Sequence, residues 1–127
     1  MSGNHGRIWW SELMTRDVEG ACAYYAATCG WVFETMPMEG GSYYVANVDG
    51  QPVAGIMDMT GLPGMDEVPA HWFTYIAVDD VDAAATATEA AGGRIIRPGF
   101  SVEGIGRIAI LTDPTGAAVG LMTPAAG

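Results

Sequence analysis

Hydrophobic and polar positions along this chain alternate in short runs, interrupted by two stretches of helical spacing, and the whole succession occurs twice. Ile8 to Thr15 reads as a strand. Asp17 then stands where a helix cap belongs, and Val18, Ala21, Cys22, Tyr25 and Ala26 follow the i, i+3, i+4, i+7, i+8 spacing of an amphipathic helix. Gly30 stops it, as a glycine just past a helix end does. Trp31 to Met36, Ser42 to Val48 and Pro52 to Met59 read as three more strands. They are separated by Glu39-Gly40-Gly41 and by Asp49-Gly50, the latter a strong hairpin signal. The order then repeats: a strand from His71 to Val78, a helix capped by Asp80 and ended by Gly92-Gly93, and strands near Arg94, at Arg107 to Leu111 and at Ala117 to Thr123. Asp113-Pro114-Thr115-Gly116 is the turn before the last of these.

The two halves match residue by residue. Leu13-Met14-Thr15-Arg16-Asp17-Val18-Glu19 falls on Ile76-Ala77-Val78-Asp79-Asp80-Val81-Asp82, 63 positions later. Ala54-Gly55-Ile56-Met57 falls on Val119-Gly120-Leu121-Met122 at an offset of 65, which implies a small difference in loop length. A repeat of this length is too long for a solenoid unit. The expected fold is α+β: one domain, 1–127, made of two pseudo-symmetric βαβββ modules at about 7–60 and 70–124. The Gly/Pro-rich stretch 60–69 joins them, as a plain connector or as a flap over a pocket.

Composition then narrows the function. The chain has 127 residues, enough for one domain with a real core, and no apolar run of the ~18 residues that span a bilayer. The opening Met1-Ser2-Gly3-Asn4-His5-Gly6-Arg7 is polar and lacks a signal-peptide pattern, so the expected location is cytoplasmic and His5 is assigned to a mobile tail. Five arginines and no lysine stand against fifteen acids, a formal net charge of −10. Such a surface repels phosphate backbones and anionic membranes, and suits a cationic ligand or serves only solubility. Cys22 and Cys29 are seven residues apart on one helix, too far for a mutual disulfide and without zinc-site spacing. Both are read as small buried apolar residues in a reducing compartment.

Four motifs in this order carry a resemblance: Trp10-Ser11-Glu12-Leu13-Met14-Thr15-Arg16-Asp17, Tyr75-Ile76-Ala77-Val78-Asp79-Asp80-Val81-Asp82, Ala91-Gly92-Gly93 and Asp113-Pro114-Thr115-Gly116. With the tandem repeat, the chain resembles the vicinal oxygen chelate superfamily, which includes glyoxalase I, bleomycin- and fosfomycin-resistance proteins and extradiol dioxygenases. The resemblance implies cupped mixed sheets with the helices packed outside and the site on the concave face. It also implies that metal-using members draw two ligands, commonly histidine, from the first strand of each module, and two, commonly glutamate, from the last. Here those positions hold Trp10, Phe73, Gly55 and Gly120, none of which can bind a divalent ion. No metal and no cofactor are expected.

With Trp10 facing the cup, strand alternation brings Glu12 and Met14 to the same face; with Phe73 inward, His71 and Tyr75 follow. Gly55 and Gly120 carry Val53, Met57, Ala118 and Met122 with them. The candidate ligand-binding set is therefore Trp10, Glu12, Gly55, Met57, Phe73, Tyr75, Gly120 and Met122. Trp10 and Phe73 are expected to occupy or line the space the glycines leave, which either forms an open aromatic cup or plugs it. Glu12, His71 and Tyr75 are the inward groups able to do acid–base work, Glu12 first as a candidate base; a carboxylate there needs a partner or carries a raised pKa. An ion site from Glu12, His71 and Asp58 is disfavoured, because Asp58 falls on the opposite face from Gly55. Arg94, Arg97 and Arg107 gather in the second module, either as charge balance or as a hold for an anion. The leading expectation is a binder of a small, largely apolar molecule, without metal. The alternatives are a metal-independent enzyme with Glu12 as base, and a metal-dependent lyase or dioxygenase. A homodimer is expected, with neither nucleic acid nor membrane as partner.

Overall fold

The computed structural model describes residues 3–38, 41–62, 64 and 66–125. Their elements follow in the order β1 (Ile8–Thr15), α1 (Val18–Cys29), β2 (Val32–Met38), β3 (Gly41–Val48), β4 (Gln51–Asp58), β5 (His71–Ala77), α2 (Val81–Ala90), β6 (Arg94–Val102), β7 (Gly106–Thr112) and β8 (Ala118–Pro124). This is the α+β order of two tandem βαβββ modules. Contacts divide the chain into two compact units, Trp10–Phe73 and Met1–Trp9 with Thr74–Gly127.

In the first unit the strands run in the order β2-β3-β4-β1, with β1 parallel to β4 and the other pairs antiparallel. Asp49 and Gly50 both take positive φ, 51° and 78°, the conformation of a two-residue turn that matches strand twist. Leu13, Ala46, Ala54 and Ile56 are buried on the face opposite Glu12 and Gly55. Helix α1 packs on β4. Its cap is Asp17, whose carboxylate accepts from the Gly20 N–H at 2.9 Å, and it ends at Gly30 in the left-handed conformation, φ 71°. None of its twelve residues is fully buried. That corrects the reading of both cysteines as buried: Cys22 is half-buried and Cys29, in the last turn of a half-covered helix, is exposed. Burial holds the Cys22 thiol above its usual pKa.

The second unit repeats the plan as β5-β8-β7-β6, with β5 parallel to β8. Helix α2 covers β6, β7 and β8, and Val78, Val81 and Ala109 form its buried contact with Ala84 and Leu121 alongside. Asp80 caps it by accepting from the Ala83 N–H at 3.1 Å. Asp113 closes the last turn, accepting from the backbone N–H groups of Thr115 and Ala117. His5 is not in a free tail: its Nδ1 accepts from the Asp79 N–H at 2.9 Å, because backbone bonds between Gly6, Arg7 and Ala77 lay the segment beside β5.

Strand β2 runs two residues past its expected end, to Met38, and β6, expected near Arg94, continues to Val102. The turn expected at Glu39-Gly40-Gly41 lies, at Glu39 and Gly40, outside the described residues. Within the connector, the Arg16 guanidinium donates to the carbonyls of Val68 (2.8 Å) and Asp66 (3.2 Å), which ties its end to the start of α1.

The Asp80 cap precedes the fully buried Val81, so loss of the cap is felt in the core. Asp80→Ala is expected to lower unfolding free energy by about 1 kcal/mol, and Asp80→Asn by much less, as read from urea midpoints.

Candidate functional site

Strand register assembles one face of the first unit. Glu12 lies beside Gly55 and Met14 beside Met57 across the parallel β1–β4 pair. Val45 lies beside Gly55 and Tyr43 beside Met57 across β3–β4. Glu34 follows Val45 on β2. Trp10 joins Glu12 on the same face by alternation.

On this face Tyr43 leans diagonally across Gly55. A Cβ at residue 55 would collide with the phenol oxygen and ring of Tyr43. The glycine is therefore required by a close approach, as strand glycines often are. The space it leaves is filled by Tyr43; of the two expectations for Trp10, that it occupies this space or lines it, the first is corrected. Trp10 is beside it: the indole Nε1–H donates to Tyr43 Oη at 2.8 Å. Glu12, only 6 % exposed, is the third member. Burial first, and the Glu12 charge second, push the Tyr43 phenol far above its ordinary pKa, against the smaller opposing effect of the Trp10 hydrogen bond. Tyr43 is thus held neutral, with one lone pair already engaged by Trp10.

The other candidates sit as follows. Met57 is half-buried beside Tyr43 and Met14. Phe73 and His71 are half-buried on β5, and His71 Nδ1 is 2.8 Å from the Pro69 carbonyl oxygen. Asp58 is exposed, and hydrogen bonds from Thr60 hold its carboxyl below the usual range. In the second unit Tyr75 lies beside Gly120, and Met122, 4 % exposed, follows Gly120 on the same face of β8. Tyr43 is the site residue that sequence reasoning missed.

The rows across the strands of the two units correspond. Glu12, Gly55, Val45 and Glu34 form one row in the first unit. Tyr75, Gly120, Ile110 and Arg97 form its counterpart in the second. The glycine and the aliphatic residue are kept, while the flanking groups change from two carboxylates to a phenol and a guanidinium.

Residues 7–121 match the model of the Glyoxalase/Bleomycin resistance protein/Dioxygenase superfamily. The chain belongs to this superfamily. It is 43% identical over 115 residues to the glyoxylase candidate CFP32 of Mycobacterium bovis, covering 88% of this chain and 43% of that protein. It is 34% identical over 120 residues to the anthracycline biosynthesis protein DnrV of Streptomyces peucetius, covering 86% of this chain and 44% of that protein. The chain thus spans less than half the length of these curated relatives. Among solved structures, a Streptomyces coelicolor methylmalonyl-CoA epimerase superposes with TM-score 0.70 at 21% identity, covering 96% of this chain and 99% of that one. The hypothetical protein BH1468 of Bacillus halodurans superposes with TM-score 0.74 at 7% identity, covering 96% of each. At these identities the likeness shows the fold alone.

The four positions to which the resemblance assigns metal ligands, Trp10, Gly55, Phe73 and Gly120, offer no donor side chain for a divalent ion. Two are glycines, one a tryptophan and one a phenylalanine, and none offers a carboxylate or imidazole. Among the described residues no three His, Cys, Asp or Glu side chains gather as a metal-binding group. No helix among them is long and apolar enough to cross a membrane.

Two predictions test this geometry. Gly55→Ala is expected to destabilise the protein by about 1–3 kcal/mol through overpacking, and by clearly less when Tyr43→Ala is also present, as a double-mutant cycle measures. The raised Tyr43 pKa means that the folded state holds this proton more tightly than the unfolded chain. Its stability contribution is intact below about pH 10 and is lost as pH rises from there toward the higher folded value. Ultraviolet titration should show a late-ionising tyrosine that Tyr43→Phe removes, together with its share of the alkaline loss in stability.

Proposed function

We propose that this chain binds a small, largely apolar organic molecule on the Trp10–Glu12–Tyr43–Gly55 face without a divalent metal. One observation carries the reading: the space over Gly55, where the resemblance would put a ligating carboxylate, holds a neutral phenol clamped by the Trp10 N–H. An aromatic wall of this kind contributes stacking area and, for a cation, attraction to the ring faces. Glu12 supplies the charge that orients a polar or cationic substituent. The similarity to a protein named for anthracycline biosynthesis fits a planar aromatic ligand.

A second reading is favoured by the burial of Glu12 beside Tyr43. A desolvated carboxylate next to a phenol that keeps its proton is a base and a hydrogen-bond donor in one site, the pairing that proton abstraction next to a carbonyl needs. In that reading Glu12 takes the proton and Tyr43, with His71 as a further polarising group, steadies the developing oxyanion. A metal-dependent lyase or dioxygenase is the reading the donor set does not fit. We also place the chain in a two-fold homodimer in the cytoplasm, without nucleic-acid or membrane partners; light scattering at micromolar concentration tests the dimer, and a monomer there refutes it.

The test is a thermal-shift screen of planar aromatic ketones, quinones and amines, with EDTA and with added zinc or nickel. Saturable binding that EDTA leaves unchanged is expected, and Trp10→Ala should weaken it by about 1–3 kcal/mol while the protein stays folded. Glu12→Gln separates the readings: a base loses turnover by orders of magnitude with binding kept, whereas a counter-charge loses affinity for cations. One tightly bound transition metal per purified chain by elemental analysis, or binding only with metal present, would overturn the proposal.

A further inference from the structure

Three residues of the second unit are spaced so that an ordinary strand could not bring them to one face. Arg94, Arg97 and Phe100 are three apart along β6, and side chains an odd number apart point to opposite sides. The ladder to β7 slips twice, once between Ile95 and Arg97 and once between Arg97 and Phe100. Each slip adds one residue to β6, and a bulge of this kind re-aims the side chains beyond it. Arg94 therefore pairs with Thr112, Arg97 with Ile110 and Phe100 with Ile108, three β7 positions that share one face. The Arg97 guanidinium carbon lies 3.6 Å from the centroid of the Phe100 ring, a cation–π contact that holds the cation over the ring.

The three arginines on β6 and β7 divide by face. Arg107 is turned to the helix side, where it donates to both Asp82 carboxylate oxygens at 2.8 and 3.1 Å; it is charge balance. Gly99, in the second bulge, leaves room for that pair, since a Cβ there would stand 2.5 Å from Asp82 Oδ1. Arg94 and Arg97 are on the opposite face, and among the described residues neither has a carboxylate partner, although acids outnumber arginines three to one, fifteen to five. Around them lie Ile108, Ile110, Gly120 and Met122, an apolar floor next to two cations.

We infer that this face is an oxyanion site for a small organic acid: Arg97, fixed by Phe100, and Arg94 hold a carboxylate or phosphate, and the apolar floor takes the body of the molecule. A guanidinium fork with no carboxylate on it matches the geometry of either anion. Every residue it uses lies in the unit of Thr74–Gly127, and none belongs to the Trp10–Glu12–Tyr43–Gly55 face of the other unit.

The test titrates the full chain with benzoate, phenyl phosphate and the neutral benzamide, by calorimetry and by the ring resonances of Phe100. Saturable binding of at least one of the two anions, with benzamide weaker by about tenfold or more, is expected. The benzoate and phenyl phosphate arms tell which anion the site takes. Arg97→Gln should lose that binding about tenfold, Phe100→Leu should weaken it with the charge retained, and Arg7→Gln, the same change of charge elsewhere, should leave it alone. The Trp10→Ala protein should bind the anions as wild type does, so a failed Trp10 site and a failed anion site give different results. No anion binding, equal binding of benzamide, or equal losses in Arg7→Gln and Arg97→Gln would overturn the inference.

Discussion

Everything at the candidate site depends on the pairing register of the β3–β4 hairpin, since a slip of one residue in a strand turns every side chain to the other face. The Asp49-Gly50 turn pairs Val48 with Gln51 and Asn47 with Pro52. Continued unbroken, that ladder would set Tyr44 opposite Gly55. The irregularity between Ala46 and Asn47 takes in Val53 as an extra residue, so that Ala46 meets Ala54, Val45 meets Gly55 and Tyr43 meets Met57. One bulge thus decides which tyrosine comes to lie over the glycine and beside Trp10 and Glu12. The same slip turns Ala46, fully buried, toward the core face with Ile56 and Leu13.

The second unit uses the device on a different strand. There the bulges sit in β6 and gather Arg94, Arg97 and Phe100. The repeated backbone has kept a glycine next to the first strand in both units, while the groups around it have diverged in charge: Glu12 and Glu34 in one, Arg97 in the other. Duplication supplies a frame in which a few row positions set what each sheet face can hold, consistent with a superfamily whose functions reside in the site and not in the fold.

Much of the fold was legible in the sequence, because caps, glycine stops and turns are local. Asp17, Asp80, Gly30, Asp49-Gly50 and Asp113 act as their residue types require, and β1 has its expected ends. The grouping of Trp10, Glu12 and Gly55 was legible too, from the repeat and from alternation. Tyr43 was not, because its face is set by a bulge that no local residue pattern announces. Alternation by itself also hid the alignment of Arg97 with Phe100. The cysteines were misread for another reason: a helical apolar stripe shows which side turns inward, not how completely the sheet covers it, and α1 is only half covered.

The central claim is that Trp10, Glu12 and Tyr43 form a ligand face that needs no metal, and the Trp10 indole N–H reports on it directly. Its proton resonance, assigned by loss in Trp10→Phe, should shift and saturate on titration with a planar aromatic quinone in the presence of EDTA, together with the methyl resonances of Met14 and Met57, which share that face. Resonances there that stay fixed while the probe binds elsewhere, or that move only after a divalent metal is added, would contradict the account.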